Sequence, residues 1–425
     1  MMRFVYSLVI HLLRPFAIGW VAWRGLGDRR YWIGMSERFG WGLRIGSSIW
    51  VHAVSLGEVT AAAPLIDALR ARHPGSTIVV TTATLTGRSR AAALGGGALD
   101  VRFLPYDTSA ASDRFLERVR PRVAVIMETE LWPNLYAACR RRGIPVVLAS
   151  ARLSDRSVRR YRRCGSLFRR CLLDTIVAAQ TSADADRFVR IGADRRKISV
   201  IGNVKFDAAP ASECIERGRD LRAKQWAGRP VWAAGSTHEG EEDVVLDAHE
   251  RLSRLQSGAL LLLAPRHPER FERVAELLNR RKVRFERRSS GGAVRADSSV
   301  LLADTIGELA CLYAAVDVAF VGGSLVPVGG HNLLEVSAAG VPVLTGPFQS
   351  NGREIAQLLL SEGAAIQVAD GAELTAALDR LLGDADARAR MGENGRRVVA
   401  MNRGSVFRLL AIIETLLDSS PAVTV

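Results

Sequence analysis

The chain has 425 residues, of which 48% are hydrophobic and 24% charged, and this composition excludes an intrinsically disordered protein. The length favours two domains, because single cores rarely grow beyond about 300 residues. A formal net charge of +14 indicates an anionic partner. The basic clusters lack a nucleic-acid-binding module, so we expect no nucleic acid and favour an acidic lipid surface or a phosphorylated small molecule.

The first 30 residues are apolar and end in a basic flank, as in "GWVAWRGLGDRR". They contain no small-residue cleavage site, so a cleaved signal peptide is not expected. Arg14-Pro15 interrupts the run, whereas a clean span needs about 20 unbroken apolar residues. We therefore expect residues 1–40 to form a membrane-associated helical segment whose arginines meet acidic headgroups. A true span and a helix buried in the protein core remain as alternatives.

Short apolar strands alternate with amphipathic helices over residues 41–208, starting with "SIWVHAV" and a helix over residues 58–72. Strands without a polar face predict a parallel sheet covered on both sides. After an inter-domain link around Pro210 the pattern restarts and continues to residue 400, and residues 401–425 predict a helix that could pack back on the first domain. The expected fold class is α/β, with two doubly wound Rossmann-like domains whose strand ends face a central cleft.

Glu58 stands at the first turn of this predicted helix, where many α/β proteins bind a phosphate. Ser55 and Glu58 fit the capping box S-x-x-E, and Ser236 with Glu239 repeats the pattern at the entrance of the second domain. A cap is therefore the simpler interpretation of Glu58, and a catalytic base is the alternative. In both cases we expect the helix dipole to lower the pKa of Glu58 and keep it ionised.

Polar side chains follow several other predicted strands, and their convergence on one cleft would be hard to explain as packing. Glycines in "GGSLVPVGGHNLLE" could expose backbone N–H groups to an anion, and Asn332 is expected to begin a helix. The strand-end residues are Glu128, Glu130, Lys205, Arg266, His267 and the run Gly307-Glu308-Leu309.

The cysteines and two of the histidines are interpreted without a catalytic role. The five cysteines form no C-x-x-C pair, which favours reduced thiols in a cytosolic setting. His11 and His52 are interpreted as structural. Because no acidic, His or Cys cluster has ligand spacing, we expect no metal and no other cofactor.

Seven motifs follow one another along the chain: "VHAVSLGE", "IMETELWPNL", "GNVKFD", "STHEGEE", "APRHPERF", "DTIGEL" and "FVGGSLVPVGGHNLLE". Together and in this order they closely resemble the bacterial lipid A Kdo transferases, which move 3-deoxy-D-manno-octulosonic acid (Kdo) from CMP-Kdo to the lipid A precursor (lipid IVA). The resemblance runs from about residue 3 to the C-terminal helix.

The resemblance implies an inverting, metal-independent glycosyltransferase of the B type (GT-B), at the cytoplasmic side of the inner membrane and against its anionic surface. It implies an acceptor domain over 41–208, a CMP-sugar donor domain over 209–400, Glu58 as general base, and Glu128 and Lys205 as transition-state stabilisers. It also implies that CMP is held by Pro265, Arg266, Gly307, Glu308, Leu309, Asn332, Leu333, Leu334 and Glu335.

Three alternatives stay open beside this resemblance. Glu130 could act in place of Glu128, since alternate residues of a strand point to opposite faces. The chain could be another GT-B transferase or a nucleotide-sugar epimerase, or a basic membrane-binding protein without catalysis. The family usually has a histidine after "GP" and the pair "NF" shortly after it, whereas this chain has Phe348 and Gly352 there.

Overall fold

The computed structural model describes residues 2–210, 212–226 and 228–419. The chain divides into two compact units. The first unit holds the residues up to Ala208 together with those from Arg403 onward, and the second holds Ala209–Asn402. Along the sequence, the second unit therefore lies between the two parts of the first.

The described part of the first unit contains a sheet of seven parallel strands in the order β3-β2-β1-β4-β5-β6-β7. The central strands β1, β4 and β5 are almost entirely buried, so the middle of the sheet is covered on both sides. The order reverses beside β1, and this switch point is where open α/β sheets bind ligands. The strands are β1 Ser48–His52, β2 Thr77–Thr82, β3 Asp100–Phe103, β4 Pro121–Met127, β5 Val146–Ala151, β6 Ile176–Ala179 and β7 Ile198–Val200.

Helices cover both faces of this sheet, and the last helix among the described residues returns to it after the second unit. Leu409, Leu410 and Ile413 of that helix join the core formed by β1, β4 and the helix after β1. The helices of the first unit are α1 Met2–Gly27, α2 Leu56–Arg72, α3 Leu85–Gly95, α4 Ser109–Val119, α5 Pro133–Arg141, α6 Asp155–Arg163, α7 Gly165–Leu172, α8 Ser182–Arg190 and α17 Ser405–Ser419.

The second unit repeats the design, with parallel strands in the order β10-β11-β9-β8-β12-β13-β14. Its switch point lies beside β8. The strands are β8 Val231–Thr237, β9 Leu260–Pro265, β10 Phe285–Arg287, β11 Val300–Leu302, β12 Val318–Val321, β13 Val343–Thr345 and β14 Ala365–Gln367. The helices are α9 Ser212–Gln225, α10 Glu241–Leu255, α11 Phe271–Arg280, α12 Leu309–Tyr313, α13 Leu334–Ala339, α14 Arg353–Ser361, α15 Gly371–Gly383 and α16 Ala385–Asn402. The predicted pair of doubly wound α/β units is confirmed.

The link expected around Pro210 is partly helical. A 3-10 turn over Val204–Ala208 precedes α9, which belongs to the second unit. Cys214 on α9 and Cys311 on α12 form a disulfide, so the expectation of reduced cysteines is wrong for this pair. The two cysteines are 97 residues apart in sequence, and such a distance carries no pairing signal.

Helix α1 continues through Pro15 to Gly27, so the interruption of the apolar run at Arg14-Pro15 does not interrupt the helix. It is long and apolar enough to cross a membrane. Phe4 and Phe16 are each about three-quarters exposed (74% and 76%). Among the described apolar side chains of α1, only that of Val21 is buried. These exposures exclude the alternative of a helix buried in the protein's own core. Tyr6 Oη anchors the helix by donating to Asp107 Oδ2 at 2.9 Å.

Candidate functional site

The switch point of the first unit brings together the residues that follow β1 and β4. Strand β1 ends at His52 and is followed by Glu58, and the neighbouring strand β4 ends at Met127 and is followed by Glu128. Lys205 reaches the same place from the 3-10 turn after β7, with its Nζ 3.7 Å from Glu128 Oε1. Three predicted site residues are therefore neighbours in space.

Glu58 lies at the third position of α2 and bonds to the backbone that precedes the helix. The Val54 N–H donates to Glu58 Oε2 at 2.8 Å. Ser55 occupies the N-cap position, but its side chain makes no capping hydrogen bond. The predicted capping box is therefore only half formed, because the carboxylate binds one residue upstream of the cap and the serine hydroxyl does not take part.

Burial raises the pKa of Glu58 from its ordinary value to about 7. The hydrogen bond from Val54 and the charge of Arg152 act in the opposite direction, while the negative charges of Glu128 and Glu130 add to the rise. The expectation that the helix dipole would lower this pKa is wrong, because desolvation disfavours the charged form more strongly. A carboxylate with a pKa near 7 is suited to take a proton at neutral pH.

Glu128 is held between two cations on one side of the switch point. Its Oε2 accepts from the Arg152 guanidinium at 2.9 Å, and Lys205 approaches the other oxygen. The backbone of Glu128 has φ +54°, a left-handed conformation that residues other than glycine seldom adopt. Strain of this kind concentrates at functional sites, where the surrounding structure imposes it.

Glu130 lies in the loop after β4, so the argument from strand alternation does not apply to it. Burial raises its pKa to about 7, and the charge of Glu128 contributes to the rise. Burial therefore raises the pKa of both Glu58 and Glu130 to about 7, and the negative charge of Glu128 contributes to each rise. Glu130 remains the alternative to Glu128 among the predicted site residues.

In the second unit, Pro265 ends β9 and Arg266 follows it at the carboxyl edge of the sheet. The Arg266 N–H donates to the Thr237 carbonyl at 3.0 Å, which ties the ends of β9 and β8 together. The Arg266 charge acts on the pKa values of Glu335 and His331, so these side chains lie near its guanidinium.

Gly307, Glu308 and Leu309 form the turn into α12. Gly307 has φ +87°, which explains a glycine at this position. Glu308 Oε2 accepts from Arg288 at 3.1 Å and from the Thr305 hydroxyl at 2.9 Å. The Arg288 partner is the main reason that the pKa of Glu308 is lowered.

Asn332 lies two residues before the short helix α13, which begins at Leu334 instead of at Asn332 as expected. The Leu334 N–H donates to Asn332 Oδ1 at 3.1 Å, and the Asn332 amide donates to Glu335 Oε1 at 3.1 Å. Burial raises the pKa of Glu335. Leu333 and Leu334 are buried, so among the four motif residues Asn332 and Glu335 supply the polar atoms of the site.

A fully buried glutamate, Glu241, already occupies the glycine-rich loop after β12. Glu241 Oε2 accepts from the Gly323 N–H at 2.7 Å, and Oε1 accepts from Ser324 and Leu325 at 3.0 and 2.9 Å. A fourth donor, the His238 N–H, lies 3.0 Å from Oε2. The expectation that these loop N–H groups wait for an external anion is therefore wrong for Gly323 to Leu325.

The expected capping box of the second unit is also replaced by Glu241. Helix α10 begins at Glu241 after an N-cap glycine, and Glu239 instead forms an exposed ion pair with Arg270 at 3.0 Å. Glu241 is not among the residues predicted from the sequence, although "STHEGEE" places it only two residues beyond Glu239.

His52 is fully buried, and its Nδ1 lies 2.9 Å from Thr81 Oγ1, as expected for a structural histidine. Within residues 2–210, 212–226 and 228–419, no group of three or more His, Cys, Asp or Glu side chains could hold a metal ion.

A family model described as "3-Deoxy-D-manno-octulosonic-acid transferase (kdotransferase)" matches residues 34–208, and one described as "Glycosyl transferases group 1" matches residues 281–398. The 3-deoxy-D-manno-octulosonic acid transferase of Haemophilus influenzae is 37% identical over 98% of this chain and 99% of its own. That of Bordetella pertussis is 39% identical over 97% of this chain and 99% of its own. This chain belongs to the Kdo transferase family. The resemblance seen in the seven motifs is thereby confirmed, and the chain is a glycosyltransferase that transfers Kdo.

A solved structure supports the fold of this Kdo transferase. The UDP-GlcNAc 2-epimerase from Neisseria meningitidis superimposes with a TM-score of 0.54, covering 88% of this chain and 100% of its own. Its sequence is only 15% identical, so the likeness concerns the GT-B-like architecture alone. The epimerase alternative therefore gains nothing from this match.

Proposed function

We propose that this Kdo transferase moves Kdo from CMP-Kdo to a lipid A precursor, with inversion at the anomeric carbon, in lipopolysaccharide biosynthesis. The observation that carries the proposal is the pairing of a half-buried Glu58, whose pKa is about 7, with Glu128 and Lys205 at the switch point of the first unit. The first unit would take the lipid acceptor, and the second would take the nucleotide.

Glu58 acts in this proposal as the general base. Its carboxylate removes the proton from the attacking hydroxyl of the acceptor, and the hydroxyl oxygen forms the bond to the anomeric carbon of Kdo. The bond between that carbon and the CMP phosphate breaks, and CMP leaves with the electron pair. Lys205, held near Glu128 Oε1, supplies positive charge where negative charge develops.

The nucleotide contacts are proposed for the second unit. Arg266 would bind the phosphate by charge-assisted hydrogen bonds, and Asn332 and Glu335 would meet the ribose hydroxyls. Gly307, Glu308 and Leu309 would border the base, with Pro265, Leu333 and Leu334 shaping the pocket. Because cationic side chains and backbone N–H groups can stabilise the leaving phosphate, we propose that the reaction is independent of metal.

The membrane side of the proposal rests on α1. Its exposed aromatic and aliphatic residues would insert into the cytoplasmic face of the inner membrane, and flanking arginines would meet anionic lipids. With 26 residues, α1 is long enough either to span the bilayer or to lie along its surface.

The test uses the full chain, lipid acceptor and a system that generates CMP-Kdo, with the product analysed by mass spectrometry. We expect a mass increase of the acceptor by whole Kdo residues, in excess chelator as well as without it. UDP-sugars supplied in place of CMP-Kdo should give no product and no epimer. Arg266→Ala should weaken CMP binding by about 1.5–3 kcal/mol in a calorimetric titration. An unmodified acceptor with the parent protein would refute the proposal.

A further inference from the structure

Three histidines of the second unit meet beside its switch point, and we call them the histidine cluster: His238, His267 and His331. His238 follows β8, His267 follows β9, and His331 lies in the loop after β12. The Nε2 atoms of His238 and His331 are 2.8 Å apart, with their rings within 6° of parallel. The His267 ring approaches His238 edge-on, with 5.2 Å between the ring centroids.

The short contact between the two Nε2 atoms limits the charge that the pair can carry. One imidazole must donate its N–H and the other must accept with its lone pair, so both rings cannot be protonated at these nitrogens. Burial lowers the pKa of both, that of His331 to about 4, and the Arg266 charge acts in the same direction. Without a ligand the pair is neutral near pH 7.

The surroundings of the pair carry positive charge. Among the described residues Arg266 forms no ion pair, although the Glu335 carboxyl lies near its guanidinium, whereas the nearby Arg270 is paired with Glu239 and Glu242. The carboxylate of Glu241, which faces His238, is already bound by four backbone N–H groups. An exposed arginine beside polarisable N–H donors is an arrangement that favours an anion.

The histidine cluster also adjoins the residues proposed to hold the nucleotide. His267 follows Arg266 in the chain, and His331 precedes Asn332. A donor such as CMP-Kdo carries two anionic groups, the phosphate and the carboxylate of the sugar acid. The planar guanidinium of Arg266 suits the phosphate. The adjacent imidazoles suit the carboxylate, because its single negative charge is balanced when one imidazole gains a proton.

We propose that the histidine cluster binds the carboxylate of the sugar acid on the donor and so selects acidic sugars. This inference rests on the proposed function. Binding of the carboxylate would favour uptake of a proton by the His238–His331 pair, against the charges of Arg266 and Arg270 and with the support of Glu241. His267 would contribute a hydrogen bond.

The experiment compares the full-length parent with His331→Gln and His238→Gln, using two ligands. Glutamine keeps a hydrogen-bonding group but cannot gain a proton. We expect the KM for CMP-Kdo to rise about tenfold or more, as for loss of one charge-assisted hydrogen bond, while the calorimetric Kd for CMP stays within about threefold of the parent. His73→Gln, on the first unit, is the matched control and should change neither constant.

Two outcomes would overturn the inference while the parent transfers Kdo normally. A Kd for CMP that rises together with the KM would assign the cluster to the phosphate, and a parental KM would leave it a structural contact. A parent that forms no product would overturn the proposed function and this inference with it. If His331→Gln does not fold, His267→Gln replaces it, because that side chain is 48% exposed, and a KM increase of about threefold with unchanged CMP affinity is expected.

Discussion

Glu58 follows the first strand of the first unit, and Glu241 follows the first strand of the second. Both stand at the start of the helix after that strand, and both carboxylates reach back to backbone N–H groups. Glu241 is completely buried and has four such donors. Glu58 is half-buried and has one, from Val54.

The difference shows how one fold position can hold a carboxyl group in two kinds of surroundings. Four backbone donors satisfy both oxygens of Glu241, whose side chain thereby ties the glycine-rich loop to the start of α10. A single donor does not offset the burial of Glu58, so its protonated form is stabilised and its pKa rises to about 7. The number of backbone donors therefore distinguishes the two carboxyl groups, and the base role proposed for Glu58 rests on the group that has a single donor.

The largest expected effect is that of Glu58→Gln on transfer. The amide oxygen can still accept from Val54 but cannot take a proton, so the rate should fall about 10²–10⁴-fold. Initial rates of Kdo transfer measure the effect, with circular dichroism and CMP binding expected to match the parent. Asp67→Asn, an exposed acid-to-amide change on the same helix, is the control. A near-parental rate would make Glu58 a cap and direct the search for the base to Glu128 and Glu130.

The next effect is the pH dependence of the parent. A general base works in its ionised form, so kcat should be constant above the pKa of about 7 and fall about tenfold per pH unit below it. Glu130 titrates in the same range, so the apparent pKa belongs to the pair. A rate that stays level from pH 5 to pH 8 would show that no carboxylate with a raised pKa limits the reaction.

Glu241→Gln should act on stability. The side-chain amide presents one acceptor oxygen to four N–H donors and turns its own N–H groups toward some of them, so the free energy of unfolding should fall by about 2–3 kcal/mol. Urea denaturation measures it. Glu239→Gln, two residues earlier and 82% exposed, should change stability by less than about 1 kcal/mol. Equal losses in the two variants would contradict the role given to Glu241.

The smallest effect is the stability of Glu58→Gln as a function of pH. A carboxyl group whose pKa is raised on folding contributes stability that is present below its unfolded pKa, near 4.5, and lost as pH rises through about 7. The glutamine variant suffers no such loss. It should equal the parent at pH 4 and exceed it by about 1–3 kcal/mol at pH 8. A variant that is less stable than the parent at pH 8 would contradict the raised pKa.

Much of this architecture follows from local patterns that the sequence displays. Apolar runs such as "SIWVHAV" become buried parallel strands, and the polar residues after them gather at the switch points because parallel strands end at one edge. Glu128 and Lys205 were named from strand ends alone and lie 3.7 Å apart. The roles of the site residues remain predictions.

Features that depend on tertiary burial or on distant partners were not predictable. The raised pKa of Glu58 comes from burial in the folded unit, and the residues next to Glu58 in sequence do not predict this burial. The glycine-rich loop is bound by Glu241, about 80 residues away in sequence. The φ of Glu128 reflects the packing around it, not its residue type. The helix through Pro15 loses one hydrogen bond yet persists within an otherwise apolar run.

The return of α17 to the first unit has a consequence for biosynthesis. A ribosome delivers the chain from its N-terminus, and domains usually begin to fold in that order. Here the core of the first unit lacks Leu409, Leu410 and Ile413 until the last part of the chain emerges, whereas the sequence of the second unit is complete by Asn402. The nascent protein must therefore carry an apolar groove along α2 and β4 through most of its synthesis. A premature stop after Asn402 would leave that groove open permanently, and chaperones and proteases would recognise it.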